Sequence, residues 1–268
     1  MKSEFKILCG TVALLMAGQV SATTTWTLQA GSVGGNNNAV TANSTAWANT
    51  GAGATVNQQV LEKQSAGYLQ HYSGGLGINN LDGCTFAANN CDVGDTVYSV
   101  PEHAIDNNQR YEMVFLSFSQ SVKLTNAEFG WTGTSDYSGS GGDSDYSVMA
   151  YTGSGAPVLA GKMWSTLGAD WTSIGNYANA QKGTNNAINP SSIFSSYWLI
   201  GAYNPLAAGN TAGLDTGNDY LKLHSVTGCI SGTLGCTPPP VQVPEPSSLA
   251  LLGLGILGLV RLRKHKKA

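Results

Sequence analysis

Between Thr23 and Cys236 the apolar residues come in short runs, closed off by Gly, Asn, Ser and Thr, and no run is long enough for an amphipathic helix. The runs are Thr24 to Leu28, Tyr68 to Tyr72, Tyr111 to Phe118, Val122 to Trp131, Tyr146 to Tyr151, Val158 to Trp164, Tyr197 to Tyr203 and Tyr220 to Val226. Aromatic and β-branched residues between turn-forming clusters read as strands. With 34 glycines and only 11% charged residues, the chain is a poor helix former. The expected fold is all-β: a single antiparallel β-sandwich, jelly-roll-like, over residues 23–236, a length that supports one domain with its own core.

Two details sharpen that expectation. In Val122 to Trp131 the apolar phase runs through Val122 and Leu124, then through Ala127, Phe129 and Trp131, so it slips by one residue near Thr125-Asn126. Side chains alternate across a strand, and a β-bulge there would return the second set to the core face. Ser119-Gln120 separates two apolar runs and suggests a hairpin, although Ser-Gln is not a favoured tight turn.

The C-terminus is of another kind. Ser247 to Val260 holds no charge and interleaves Leu, Ile and Val with Gly, as lipid-embedded helices do. Counted to Leu262 it gives ~24 Å of helix at ~1.5 Å per residue, a short match to a hydrocarbon core of about 30 Å. Arg261, Arg263, Lys264, Lys266 and Lys267 follow directly. Such a cationic stop stays on the cytoplasmic side, which places the body outside. At the other end Lys2 and Lys6 precede an apolar run, and Val20-Ser21-Ala22 offers small residues at the positions a signal peptidase inspects. Residues 1–22 read as a signal peptide, and residues 237–243, opening Thr237-Pro238-Pro239-Pro240, as a stiff polyproline stalk.

Val243-Pro244-Glu245-Pro246, the apolar segment and the Arg/Lys cluster, in that order, resemble the PEP-CTERM sorting signal of bacterial envelope proteins. The resemblance implies that residues 244–268 form a transmembrane sorting helix with its flanks. It also implies that an exosortase, a membrane transpeptidase, recognises Pro244, Glu245 and Pro246, cuts near them, and releases or re-attaches the body. The central block, Cys91 to Gly153, with "SSYWLIGAYN" and "DYLKLHSVTG" downstream, resembles a family of exosortase-dependent surface proteins.

Export fits the charge and the cysteines. Without the two ends, six basic and 14 acidic residues remain, a formal charge of −8. That excludes nucleic acid as a partner, because its binding requires a cationic surface. Once Cys9 leaves with the signal, the remaining four cysteines fall in two close pairs, Cys84 with Cys91 and Cys229 with Cys236. Four cysteines allow three pairings, and neighbours are the cheapest to close; they read as loop staples made in an oxidising compartment.

Candidate chemistry is sparse. Asp106, Asn107, Asp143 and Asp145 offer hard oxygens of the kind that calcium takes, with Asp82 or Asp92 as further donors, but the glycine and glutamate of an EF-hand loop are missing. The same side chains also serve in turns, capping their own backbone. His103 has no second His or Cys at ligand spacing. No Gly-x-Ser-x-Gly, His-Glu-x-x-His or phosphate loop occurs, so no enzyme is expected. Trp47 and Trp171, in polar stretches that read as loops, are the candidates for stacking on sugar, while Trp131, Trp164 and Trp198 sit in apolar runs and read as core. The composite expectation is an exported envelope or matrix protein, sorted by an exosortase and associated with extracellular polysaccharide or biofilm. Its alternatives are a carbohydrate-binding module or calcium-stabilised adhesin, and then a glycan-active enzyme.

Overall fold

The computed structural model describes residues 23–36, 40–64, 69–79, 103–108, 110–133 and 144–236. The signal, the stalk, the sorting segment, Cys84, Cys91, Asp82, Asp92 and Asp143 lie outside the described residues. Among the described residues, no helix is long and apolar enough to cross a membrane.

The strands are β1 (Thr24–Thr27), β2 (Gly31–Gly34), β3 (Thr41–Ala48), β4 (Glu62–Lys63), β5 (Leu69–Tyr72), β6 (Gly75–Ile78), β7 (Ile105–Asp106), β8 (Glu112–Gly133), β9 (Tyr146–Tyr151), β10 (Trp171–Tyr177), β11 (Asn185–Ala187), β12 (Ser195–Ala202) and β13 (Tyr220–Ile230). A single turn of helix, α1 (Pro205–Ala208), follows β12. All 13 strands of the described residues belong to one hydrogen-bonded antiparallel sheet whose main path is β10-β9-β12-β8-β13-β6-β5. Instead of two separate sheets, one continuous sheet passes through β8.

β8 is why. Its 22 residues would extend about 70 Å at ~3.3 Å per residue, far beyond an ordinary strand of 3 to 10 residues. Residues 112–118 pair with β3, and residues 113–117 with β12 on the other edge. Residues 122–133 pair with β13, and residues 126–128 with β11. The changeover lies at Ser119 to Ser121: Tyr197 faces Ser117 while Ser195 faces Val122, so β8 carries extra residues against β12 there. No hairpin forms at Ser119-Gln120. Val114, Leu116, Phe118, Val122 and Leu124 keep one parity, so the strand can bend without turning back.

Beyond that bend the expected bulge is present. Asn126 pairs with Thr227 and Leu124 with Gly228, leaving Thr125 as the extra residue, and Leu124, Ala127 and Phe129 are all fully buried. Thr125 Oγ1 donates to the Thr227 carbonyl at 3.2 Å, so the bulged residue remains tied to the ladder.

The main core takes residues from both stretches of β8: Val114, Leu116 and Phe118 from the first, Leu124, Ala127 and Phe129 from the second, with Trp198 and Ile200 of β12 and Leu221, Leu223 and Val226 of β13. A second cluster lies under the opposite face of the first stretch. It takes Met113 of β8, Met149 of β9 and Leu199 of β12, covered by Leu159, Trp164, Leu167 and Ala208. The first stretch is therefore buried on both faces, which explains the unbroken apolar runs "MVFLSF" and "YWLIGA". Val158 to Trp164, expected as a strand, is instead part of this cover and leads into a 3-10 turn at Trp164–Thr166. Trp164 Nε1 donates to the Tyr111 carbonyl at 3.1 Å, and the Leu61 N–H donates to the Lys162 carbonyl at 2.6 Å. Leu159 and Trp164 are the residues that cap the sheet face, whereas Val158 is exposed.

Candidate functional site

Where β7, β8, β9 and β13 meet, register collects buried polar groups. Asp106 pairs with Tyr220, so the residue that follows β7, Asn107, falls opposite the residue that precedes β13, Asp219. Asn107 uses all four hydrogen-bonding positions of its amide: Nδ2 donates to the Tyr203 carbonyl at 2.9 Å and to Asp219 Oδ2 at 2.6 Å, while Oδ1 accepts from the N–H groups of Gly217 at 2.9 Å and Asp219 at 3.1 Å. Asp219 Oδ1 accepts from the Asp145 N–H at 2.6 Å, and Asp145 Oδ1 from the Asn179 N–H at 2.9 Å. Ser144 Oγ bridges the carbonyls of Gly133 and Tyr220 at 2.9 Å each.

Asp145 and Asp219 are 1% and 0% exposed. Burial of a carboxylate disfavours its charged form. The Asp219 carboxyl is pushed up to about 8, chiefly by burial and to a lesser degree by nearby Asp145 and Asp215, against the pull of the hydrogen bonds from the Asp145 backbone and Asn107. The neutral form of Asp219 is therefore favoured relative to that of a solvent-exposed carboxyl. Asp145, Asp219 and the exposed Asp215 bring one ligand atom each to within 4.8 Å of one another, a spacing at which a cation could be shared, found among the described residues.

Of the four expected calcium donors, the structure brings Asn107 and Asp145 together through Asp219. Asp106 does not join them: its Oδ1 accepts from the Asn108 N–H at 2.9 Å, closing a turn of its own. The sequence reading passed over Asp215 and Asp219, although Asp-Thr-Gly-Asn-Asp directly before an apolar strand was the available signal.

The tryptophans are arranged differently from expectation. Trp171 opens β10, is 7% exposed and packs edge-on against Tyr151 (5.3 Å between ring centres) and Phe115 (6.3 Å); it is a core residue and no platform. Trp47 lies in β3 opposite Lys63, half-buried against the second core, with Nε1 donating to Thr45 Oγ1 at 3.1 Å. Neither is in a loop. Trp131, expected in the core, is half-buried, and Lys222 Nζ lies 5.2 Å from its ring centre and 4.9 Å from that of Tyr72. His103 stacks on Tyr72 at 4.8 Å, and burial, with Lys222 adding to it, holds its pKa below the usual value.

At the end of β13 one of the two expected staples is observed: Cys229 and Cys236 are disulfide-bonded, with Cα atoms 5.9 Å apart.

Beyond the strands, comparison with known proteins decides what the tail is. Residues 242–264 match the PEP-CTERM protein-sorting motif. The matched stretch starts at the end of the stalk and includes Pro244, Glu245, Pro246, Arg261, Arg263 and Lys264. No curated protein and no solved structure matches the chain. The motif supports exosortase-dependent sorting of an exported surface protein.

Proposed function

We propose that the chain is a cell-envelope or extracellular-matrix protein whose β-rich body is delivered by an exosortase and then resides in extracellular polysaccharide or biofilm. The observation that carries this reading is the sorting motif at residues 242–264. A signal peptidase removes residues 1–22, the inner membrane holds the precursor through its apolar tail, and the exosortase acts at Pro244-Glu245-Pro246. A disulfide-closed loop, which forms in oxidising compartments, supports the same reading. Replacing Pro244, Glu245 and Pro246 together by alanine tests it: the variant accumulates as tail-bearing precursor in the inner membrane, whereas unchanged processing contradicts the assignment.

A second reading, a calcium-stabilised adhesin, is favoured by the carboxylates of Asp145, Asp215 and Asp219. Calcium takes oxygen ligands and would stand in place of the Asp219 proton. Melting curves with calcium and with chelator test this reading, and coincident midpoints reject it.

A further inference from the structure

We propose that a cleft at the edge of β3 binds a small, uncharged and mostly apolar molecule, held by one hydrogen bond to Ser44. The cleft is read from the body alone, so it stands apart from the sorting assignment.

Pairing opens it. β8 holds one edge of β3 from Ala42 to Ala48, so β2 and β4 share the other edge, docking on it from opposite ends. Gly31 pairs with Ser44, Lys63 pairs with Trp47, and the Gln64 N–H donates to the Ala46 carbonyl at 2.9 Å. Where the two pairings meet lies a cleft of about 580 Å³, whose lining includes Ala30, Gly31, Ser44, Ala46, Lys63 and Leu69. The room comes from β3 itself, because its inward residues Ala42, Ser44, Ala46 and Ala48 are all small. Ala46 and Leu69 also belong to the main core, so the back of the cleft is the apolar interior.

A row of small residues leaves space without calling for a ligand; Ser44 is what calls for one. It shares the inward face of β3 with Ala46, is 3% exposed, and its hydroxyl has no hydrogen-bond partner among the described residues. Buried polar groups are paired with few exceptions, and each exception needs a cause. Ala42 and Ala46 on either side show that this face accepts a plain methyl group. The hydroxyl therefore costs the unliganded protein stability and recovers it when a ligand supplies the partner, the trade expected where a residue serves binding at the expense of the fold. Serine has one χ angle with three staggered wells, so the hydroxyl turns toward an arriving polar atom without moving the backbone.

The lining decides the ligand class. Ala30, Gly31, Ala46 and Leu69 offer apolar walls, which favour an apolar body. No carboxylate lines the cleft, and its one charged lining residue, Lys63, is exposed. A charge set against Ala46 and Leu69 would lose its hydration without a buried counter-ion. A serine hydroxyl both donates and accepts, so it suits a hydroxyl or a carbonyl oxygen on the ligand. The volume falls within the roughly 300 to 1,000 Å³ of small-molecule sites.

The test is calorimetric titration of the exported protein with hexanol and butyl methyl ketone, with pentyl chloride as the chain that lacks an oxygen and hexanoate as the charged one. Wild type binds the alcohol or the ketone, and binds it more tightly than the chloride or hexanoate. Ser44→Ala weakens alcohol and ketone about fivefold or more and leaves the chloride within about twofold, while the thermal midpoint of the unliganded variant rises. A serine with a purely structural role would not separate the oxygen-bearing probes from the chloride. Ala30→Trp, at an exposed rim position, closes the mouth and abolishes binding of every probe, and it decides the matter if Ser44→Ala fails to fold. Alcohol and ketone binding unchanged in Ser44→Ala overturns the role of the hydroxyl, and binding that persists in Ala30→Trp places the probes elsewhere. Hexanoate as the tightest probe overturns the ligand class. If wild type binds none of the four, the cleft falls and the sorting assignment, read from the tail, stands.

Discussion

Asn107 and Asp219 form a closed pair: the Asn107 amide donates to the Asp219 carboxyl at 2.6 Å and its oxygen accepts the Asp219 backbone N–H at 3.1 Å. Because Asn107 also holds the Tyr203 carbonyl and the Gly217 N–H, one 4% exposed side chain joins three segments far apart in sequence. Asn107→Ala leaves several buried groups unpaired and is expected to cost ~2 to 4 kcal/mol, measured by urea denaturation. A loss below ~1 kcal/mol would mean that water replaces the amide at little cost.

The Asp219 carboxyl gives the stability a pH signature. Its folded pKa of about 8 lies above the ordinary 3.8, so the folded state keeps a proton that the unfolded chain releases. The contribution is complete below about pH 4 and is lost as pH rises through 8. In calcium-free buffer the urea midpoint therefore declines from pH 4 to pH 8, and Asp219→Asn flattens that slope. Equal slopes for the two proteins would place the proton elsewhere.

Cys229 and Cys236 close a loop of eight residues at the end of β13. In the chain-entropy model such a loop is worth roughly 2 to 3 kcal/mol. Cys229→Ser with Cys236→Ser should lower stability by about that amount under oxidising conditions and make it insensitive to reductant. A double variant as stable as wild type contradicts a structural role.

Ser44 offers the opposite case. It points inward from β3 between Ala42 and Ala46, is 3% exposed, and its hydroxyl has no hydrogen-bond partner among the described residues. An unsatisfied buried hydroxyl costs roughly 1 to 3 kcal/mol. Ser44→Ala is thus expected to raise the thermal midpoint, and a fall would show that the hydroxyl is solvated in solution.

How far the fold was readable depended on the kind of signal. The bulge at Thr125 followed from a one-residue phase slip, because period 2 leaves no other way to keep Leu124 and Phe129 on one face. β3 was missed: its inward residues, Ala42, Ser44, Ala46 and Ala48, are small, so it lacks the β-branched and aromatic mark of a strand. Val158 to Trp164 misled for the converse reason, since a segment that covers a sheet face is as apolar as a strand. At the polar knot, Asn107 and Asp145 were visible as oxygen donors, but their partner Asp219 depends on the pairing of Asp106 with Tyr220, a register between residues 114 apart that local pattern does not encode. The tail needed no tertiary structure: its order of Pro-Glu-Pro, apolar run and cations is itself the signal.

The central claim is that the tail is an address read by an exosortase. Intact-mass and C-terminal peptide analysis of the protein recovered from its producing cells tests this most directly. The account predicts a polypeptide that begins near Thr23 and ends near Pro244-Glu245-Pro246, without the Leu-Gly segment and the Arg/Lys cluster. A protein recovered from outside the inner membrane with its sequence intact through Ala268 would contradict it.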